Sequence, residues 1–144
     1  MIPPAGRIIA LDWGEVRIGV ALSDETQVLA SPLVTLVRRP GKRFPMPAFL
    51  ALVADHEPVG VVVGLPLTPE GSEGPAAEAA REMGEAVSRR TALPVEWTDE
   101  RLTTARALGA IREQGGSVRG RKADVDALAA SVLLQGFLDA RRSA

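Results

Sequence analysis

Residues Val59–Gly64 form an uncharged run, Val-Gly-Val-Val-Val-Gly, that constrains the fold more than any other segment. The run is short and rich in β-branched side chains, and a Pro- and Gly-rich loop follows it over Leu65–Gly74. A strand that is apolar at consecutive positions is buried on both faces, which is typical of a central strand in a parallel sheet. We therefore expect helices on both sides of this strand.

Four other segments have the composition and spacing of strands. Arg7–Trp13 and Val16–Ser23 flank a short turn and predict a hairpin, and Ser31–Val37 predicts a third antiparallel strand. Pro94–Thr98 predicts a last, short strand after the central one. The first three strands would form an antiparallel meander at one side of the sheet.

Apolar residues at helical spacing predict four helices. These segments are Pro47–His56, Pro75–Arg90, Thr103–Glu113 and Lys122–Ala140. The order β-β-β-α-β-α-β-α-α predicts an α/β fold with a mixed five-stranded sheet and helices on both faces. Right-handed crossovers would make the first, fourth and fifth strands parallel, and sites form at the carboxyl ends of such strands.

Length and composition bound the function. A chain of 144 residues with 46% hydrophobic residues predicts a single folded domain over residues 1–144. The absence of cysteine excludes disulfides, thiolate metal sites and cysteine nucleophiles. The longest uncharged runs of the chain have twelve residues, whereas a membrane-spanning helix needs about 18. We therefore expect no membrane partner and a cytoplasmic location.

Carboxylates follow two of the predicted parallel strands. Asp12 ends the first strand on the same face as Ile8 and Ala10, where an acid is costly unless a partner offsets it. Asp99 and Glu100 follow the last strand and would reach the same edge of the sheet. The alternatives are a turn-initiating aspartate and acids that complement the dipole of the next helix.

A third inward acid comes from the last predicted helix. Asp126 shares a helix face with Ala130, Leu133 and Phe137, whereas Asp124 points elsewhere, as a cap or first-turn acid would. A first-turn role remains open for Asp126 as well. Three converging carboxylates would repel one another unless hard divalent cations such as Mg²⁺ or Mn²⁺ were bound. Two such ions can hydrolyse a phosphodiester bond.

Several basic residues could contact nucleic acid, although the net charge of −1 does not by itself indicate nucleic-acid binding. Arg17 and Arg101 could clamp a phosphate or neutralise the acids, and Arg119 and Lys122 lie in a basic loop that could grip a backbone. A second cluster holds four cations, at Arg38, Arg39, Lys42 and Arg43. Solvated loops and structural ion pairs are the alternatives.

Four motifs in order resemble the YqgF-type family of pre-16S rRNA nucleases and Holliday-junction-resolvase-like proteins. They are Leu11–Asp24, Val63–Leu67 with Gly71–Pro75, Asp99–Thr104 and Asp124–Ala130, which together span most of the chain. The resemblance implies a ribonuclease H-like fold. It also implies processing of the 5′ end of pre-16S ribosomal RNA, or cleavage of branched DNA, by a monomer or a homodimer.

The resemblance also carries site residues. Asp12, Glu100 and Asp126 match the three acidic positions of the family, which implies that they are catalytic and hold Mg²⁺ or Mn²⁺. Trp13 departs from the smaller residue that is usual after the first aspartate. Two other functions remain open: a non-catalytic RNA-binding factor in ribosome assembly, and an actin-like ATPase domain, which would need a second domain.

Overall fold

A computed structural model describes residues 1–38, 44–100 and 122–143, without the side chains of residues 122–124. The strands are β1 (Ile8–Asp12), β2 (Arg17–Ser23), β3 (Ala30–Val37), β4 (Gly60–Leu65) and β5 (Val95–Asp99). The helices are α1 (Met46–His56), α2 (Pro75–Thr91) and α3 (Lys122–Ser143). The predicted helix over Thr103–Glu113 lies outside the described residues.

The strands form one sheet in the order β3-β2-β1-β4-β5. β1 pairs with β2, and β2 with β3, in antiparallel register, while β4 runs parallel to both β1 and β5. The prediction of a mixed five-stranded sheet with an antiparallel meander and three parallel strands is therefore confirmed.

Helices cover both faces of the sheet, as the uncharged run of β4 predicts. Every residue of β4 is buried. Val61 and Val63 belong to a core cluster with residues of α1 and α2, whereas Val62 belongs to a second cluster with residues of α3. Within the residues that the structure describes, no helix has the length and apolar character to cross a membrane.

The carboxyl end of α3 is joined to the amino-terminal segment by hydrogen bonds. A guanidinium nitrogen of Arg141 donates to the carbonyl oxygen of Ile2 at 2.9 Å, and the other donates to Gln27 Oε1 at 3.1 Å. The Gln27 side-chain amide donates in turn to the carbonyl of Pro3 at 2.8 Å. The last turns of α3, the turn after β2 and the first residues therefore form one connected unit.

The opposite end of α3 lies against β2 at Gly19. A β-carbon at position 19 would overlap the backbone carbonyl of Asp126 and would lie 3.2 Å from the backbone nitrogen of Ala127. Only a residue without a side chain allows the helix backbone to come this close to the strand. Gly19 therefore determines where the first turns of α3 cross the sheet.

We expect Gly19→Ala to lower the free energy of unfolding by about 1–3 kcal/mol, because backbone atoms on both sides of the new methyl group must move. Urea unfolding measures the change. Gly74→Ala is the control, because among the described residues its β-carbon would meet a methyl group of Thr68 alone, at 3.6 Å. The control should lose less stability, and a G19A protein as stable as the wild type would contradict this packing.

Candidate active site

Asp12 lies at the centre of the sheet edge where the parallel strands end. It is paired in register with Gly19 of β2 on one side and with Gly64 of β4 on the other. Side chains alternate along a strand, so Asp12 lies on the face of Ile8 and Ala10, which α3 covers. The carboxylate is therefore held between the sheet and α3.

Gly64 provides the space in which two carboxyl groups meet. A β-carbon built at position 64 would lie 3.0 Å from Glu100 Oε2 and 3.6 Å from Asp12 Oδ1, and it would overlap the side chain of Leu133. Neither this role of Gly64 nor that of Gly19 is predicted by the motifs above. The available signal was a glycine inside a strand, which often marks a close approach of other atoms.

Glu100 reaches the site from the residue directly after β5. Its backbone N–H donates to the carbonyl of Leu65 at 3.4 Å, which continues the pairing of β5 with β4 by one residue. Its carboxyl group forms a hydrogen bond with Asp12. The structure thus brings together two acids that are 88 positions apart in the sequence.

Burial and mutual proximity raise the pKa values of both acids. Burial is the largest cause for Glu100, followed by the hydrogen bond and charge of Asp12 and the charge of Asp99, and together they raise the pKa of Glu100 to about 8. Burial and the charge of Asp126 raise the pKa of Asp12, while the hydrogen bond from Glu100 opposes this rise. The pair therefore shares one proton, carried by Glu100, at neutral pH.

Asp126 lies near this pair but is held by a cation. Arg17 Nε lies 2.6 Å from Asp126 Oδ2, and both side chains are about one-third exposed. Among the side chains that the structure describes, no three acidic or histidine groups are placed to hold a metal ion together. The structure therefore brings Asp12 and Glu100 together, whereas Asp126 is paired with Arg17.

Of the other predicted site residues, the structure describes Asp99 and Arg38. Asp99 is exposed at the end of β5 and acts on Glu100 through its charge. Arg38 lies over the Trp13 ring at 5.4 Å and donates to the carbonyl of Gly14 at 3.0 Å. Several predicted basic contacts lie outside the described residues or side chains: Arg39, Lys42, Arg43, Arg101, Arg119 and Lys122.

The donor set at Asp12 and Glu100 fits a hard divalent cation. Both groups offer oxygen atoms, the ligands that Mg²⁺ and Mn²⁺ prefer. Burial and the proximity of the two groups raise both pKa values, so it is unfavourable for both acids to be ionised without a cation. A divalent cation can take the place of the shared proton and remove that repulsion.

Comparison with known proteins places the chain in a family. The family model described as "RuvX: Holliday junction resolvase" matches residues 6–140. A protein of Mycobacterium sp. (strain KMS) is 45% identical over 143 residues, covering 99% of this chain and 85% of its own length. A protein of Anaeromyxobacter sp. (strain Fw109-5) is 44% identical over 137 residues, covering 95% and 99%. Both carry the name "Putative pre-16S rRNA nuclease".

A solved structure has the same fold. Thermus thermophilus RuvC in complex with a Holliday junction substrate aligns with a TM-score of 0.58 and 17% identity, covering 96% of both chains. The sheet order and the helices on its two faces thus correspond to the ribonuclease H-like fold, as the motifs imply. With the family match over residues 6–140 and relatives at 45% identity, the chain belongs to the RuvX family of Holliday junction resolvases.

Proposed function

We propose that residues 1–144 form one metal-dependent endonuclease domain that hydrolyses phosphodiester bonds in the 5′ region of pre-16S ribosomal RNA. The observation that carries the proposal is the Asp12–Glu100 pair at the carboxyl ends of the parallel strands. Asp12, Glu100 and Asp126 are the proposed catalytic and metal-binding residues. Relatives named for pre-16S rRNA support this substrate, which would place the protein in the cytoplasm.

Hydrolysis joins a water oxygen to phosphorus and breaks the bond from phosphorus to a sugar oxygen. The water loses a proton, and the leaving sugar oxygen gains one. Asp12 and Glu100 would hold Mg²⁺ or Mn²⁺, which would supply a lowered pKa for bound water and positive charge beside the phosphate oxygens. Glu100 must first release its shared proton, so that both it and Asp12 are ionised oxygen ligands.

Basic side chains near the acids would orient the substrate. The guanidinium of Arg17 lies beside Asp126, where it is well suited to donate to phosphate oxygens. Arg101, Arg119 and Lys122 remain proposed substrate contacts on the basis of their charge and sequence position. Their contribution should make binding weaken as salt increases.

Branched DNA is the second candidate substrate. The family model is described as a Holliday junction resolvase, and the RuvC structure with the same fold contains a Holliday junction. A direct comparison uses purified protein, Mn²⁺, an RNA spanning the precursor 5′ junction and a four-way DNA junction. Preferential cleavage of the RNA supports the first proposal, and preferential cleavage of the junction supports the second.

Isosteric substitutions test the acids without changing their size. We expect Asp12→Asn and Glu100→Gln each to lower the rate of RNA cleavage in Mn²⁺ by at least about 100-fold, because each removes a charged metal ligand. Asp126→Asn should also lower the rate. The control is Asp55→Asn, which changes an exposed acid at the far end of α1 and should leave the rate unchanged.

Equal cleavage by the wild type and the D12N/E100Q double variant would overturn the proposed site. Specific RNA binding without turnover in any divalent cation would favour the non-catalytic assembly factor instead. Saturable ATP binding would favour the ATPase alternative.

The raised pKa of Glu100 predicts how the stability of the metal-free protein depends on pH. Folded Glu100 holds its proton up to about pH 8, whereas the unfolded chain releases it near 4.5. The folded state then binds more protons over this range, so the free energy of unfolding should fall as pH rises through it. Urea unfolding in EDTA measures the fall.

The E100Q variant is the matched control for the pH experiment. It has no ionisable group at position 100, so its stability should fall less between about pH 5 and 9. A pH dependence identical to that of the wild type would contradict the assignment of the shared proton to this pair.

A further inference from the structure

Asp126, the third acid, forms an ion pair with Arg17 of the same chain. Arg17 begins β2, two residues before Gly19, and the close approach of α3 at Gly19 brings Asp126 to it. The Nε–Oδ2 distance of 2.6 Å is that of a charge-assisted hydrogen bond. Asp126 therefore has a cationic partner from its own chain.

We propose that Arg17 acts as an internal counter-cation for Asp126, which a divalent cation must displace to gain this third carboxylate. The inference rests on the proposed function, since it takes the Asp12–Glu100 pair as the place where the cation binds. The guanidinium of Arg17 and the divalent cation would then compete for the carboxylate of Asp126. Arg17 thus has a positioning role before any contact with substrate.

Two observations and one electrostatic argument support displacement. The ion pair is about one-third exposed, so water screens it and separation costs little. Asp126 is close enough to Asp12 for its charge to raise the pKa of that residue, so a cation on Asp12 would attract both carboxylates. The guanidinium, by contrast, would be repelled by the same cation.

Displacement would connect metal binding to substrate binding. A guanidinium released from Asp126 can donate to a phosphate group, and a phosphate that attracts Arg17 leaves Asp126 available to the metal. The two ligands should then raise each other's affinity, because coupling between two binding equilibria is reciprocal.

A double-mutant cycle tests the competition. Isothermal titration calorimetry gives the Mn²⁺ affinity of EDTA-treated wild-type protein and of the R17Q, D126N and R17Q/D126N variants. We expect R17Q to bind Mn²⁺ about tenfold more tightly than the wild type, because a competing cation and its repulsion are both removed. The gain should largely disappear in the D126N background, where no carboxylate is released.

Two controls distinguish the loss of the Arg17–Asp126 ion pair from the loss of a positive charge elsewhere on the protein. Arg17→Lys keeps a cation beside Asp126 and should stay close to the wild type in Mn²⁺ affinity. Arg81→Gln removes the cation that α2 contributes to an ion pair with Glu73, and it should leave the Mn²⁺ affinity unchanged. An equal gain from R17Q with and without Asp126, or no gain at all, overturns the proposal.

A measurement on the wild type covers the case in which R17Q does not fold. The Nε–H resonance of Arg17, identified by its loss in R17K, should move toward the position of a free arginine as Mg²⁺ is added. A resonance that stays in place at saturating Mg²⁺ overturns the proposal. An inactive protein that shows both effects would overturn the nuclease function alone, whereas active protein without them would overturn the role of Arg17 alone.

Discussion

The site depends on the burial of one carboxylate, Asp12, between two strands that carry glycine at the paired positions. Gly19 allows the backbone of α3 to come into contact with the sheet, and Gly64 leaves room for the carboxyl groups of Asp12 and Glu100. Side chains at either position would push apart the elements that carry the acids. The absence of side chains at Gly19 and Gly64 therefore determines how close the acidic groups come to one another.

Much of the fold could be predicted because its central strand has an unusual pattern. The apolar run in β4 requires cover on both faces, and the alternation of strands and helices around it leaves few topologies. The antiparallel meander and the parallel direction of β1, β4 and β5 follow from that reasoning, and the parallel strands in turn predict that Glu100 reaches the same sheet edge as Asp12. Three helix ends agree with the predicted ones and three differ by one to three residues, since frayed end turns carry little sequence signal.

The details of the site could not be predicted in the same way. Arg17 and Asp126 are separated by 109 positions, and their pairing depends on where α3 crosses β2. Spacing along a strand or helix says nothing about such a contact. The helical pattern predicts an inward-facing acid at position 126, whereas its pairing with Arg17 is determined by the tertiary packing.

The hydrogen bonds at the far end of α3 couple the start of the chain to the acids. Arg141 and Asp126 are 15 positions apart on one helix, or about 22 Å at the usual rise per residue. Arg141 is tied to the carbonyl of Ile2, so the amino-terminal segment helps to hold the rigid helix that carries Asp126 at its other end. Removal of the first residues would take this attachment away, so a variant shortened at that end is unsuited to measuring the geometry of the acids.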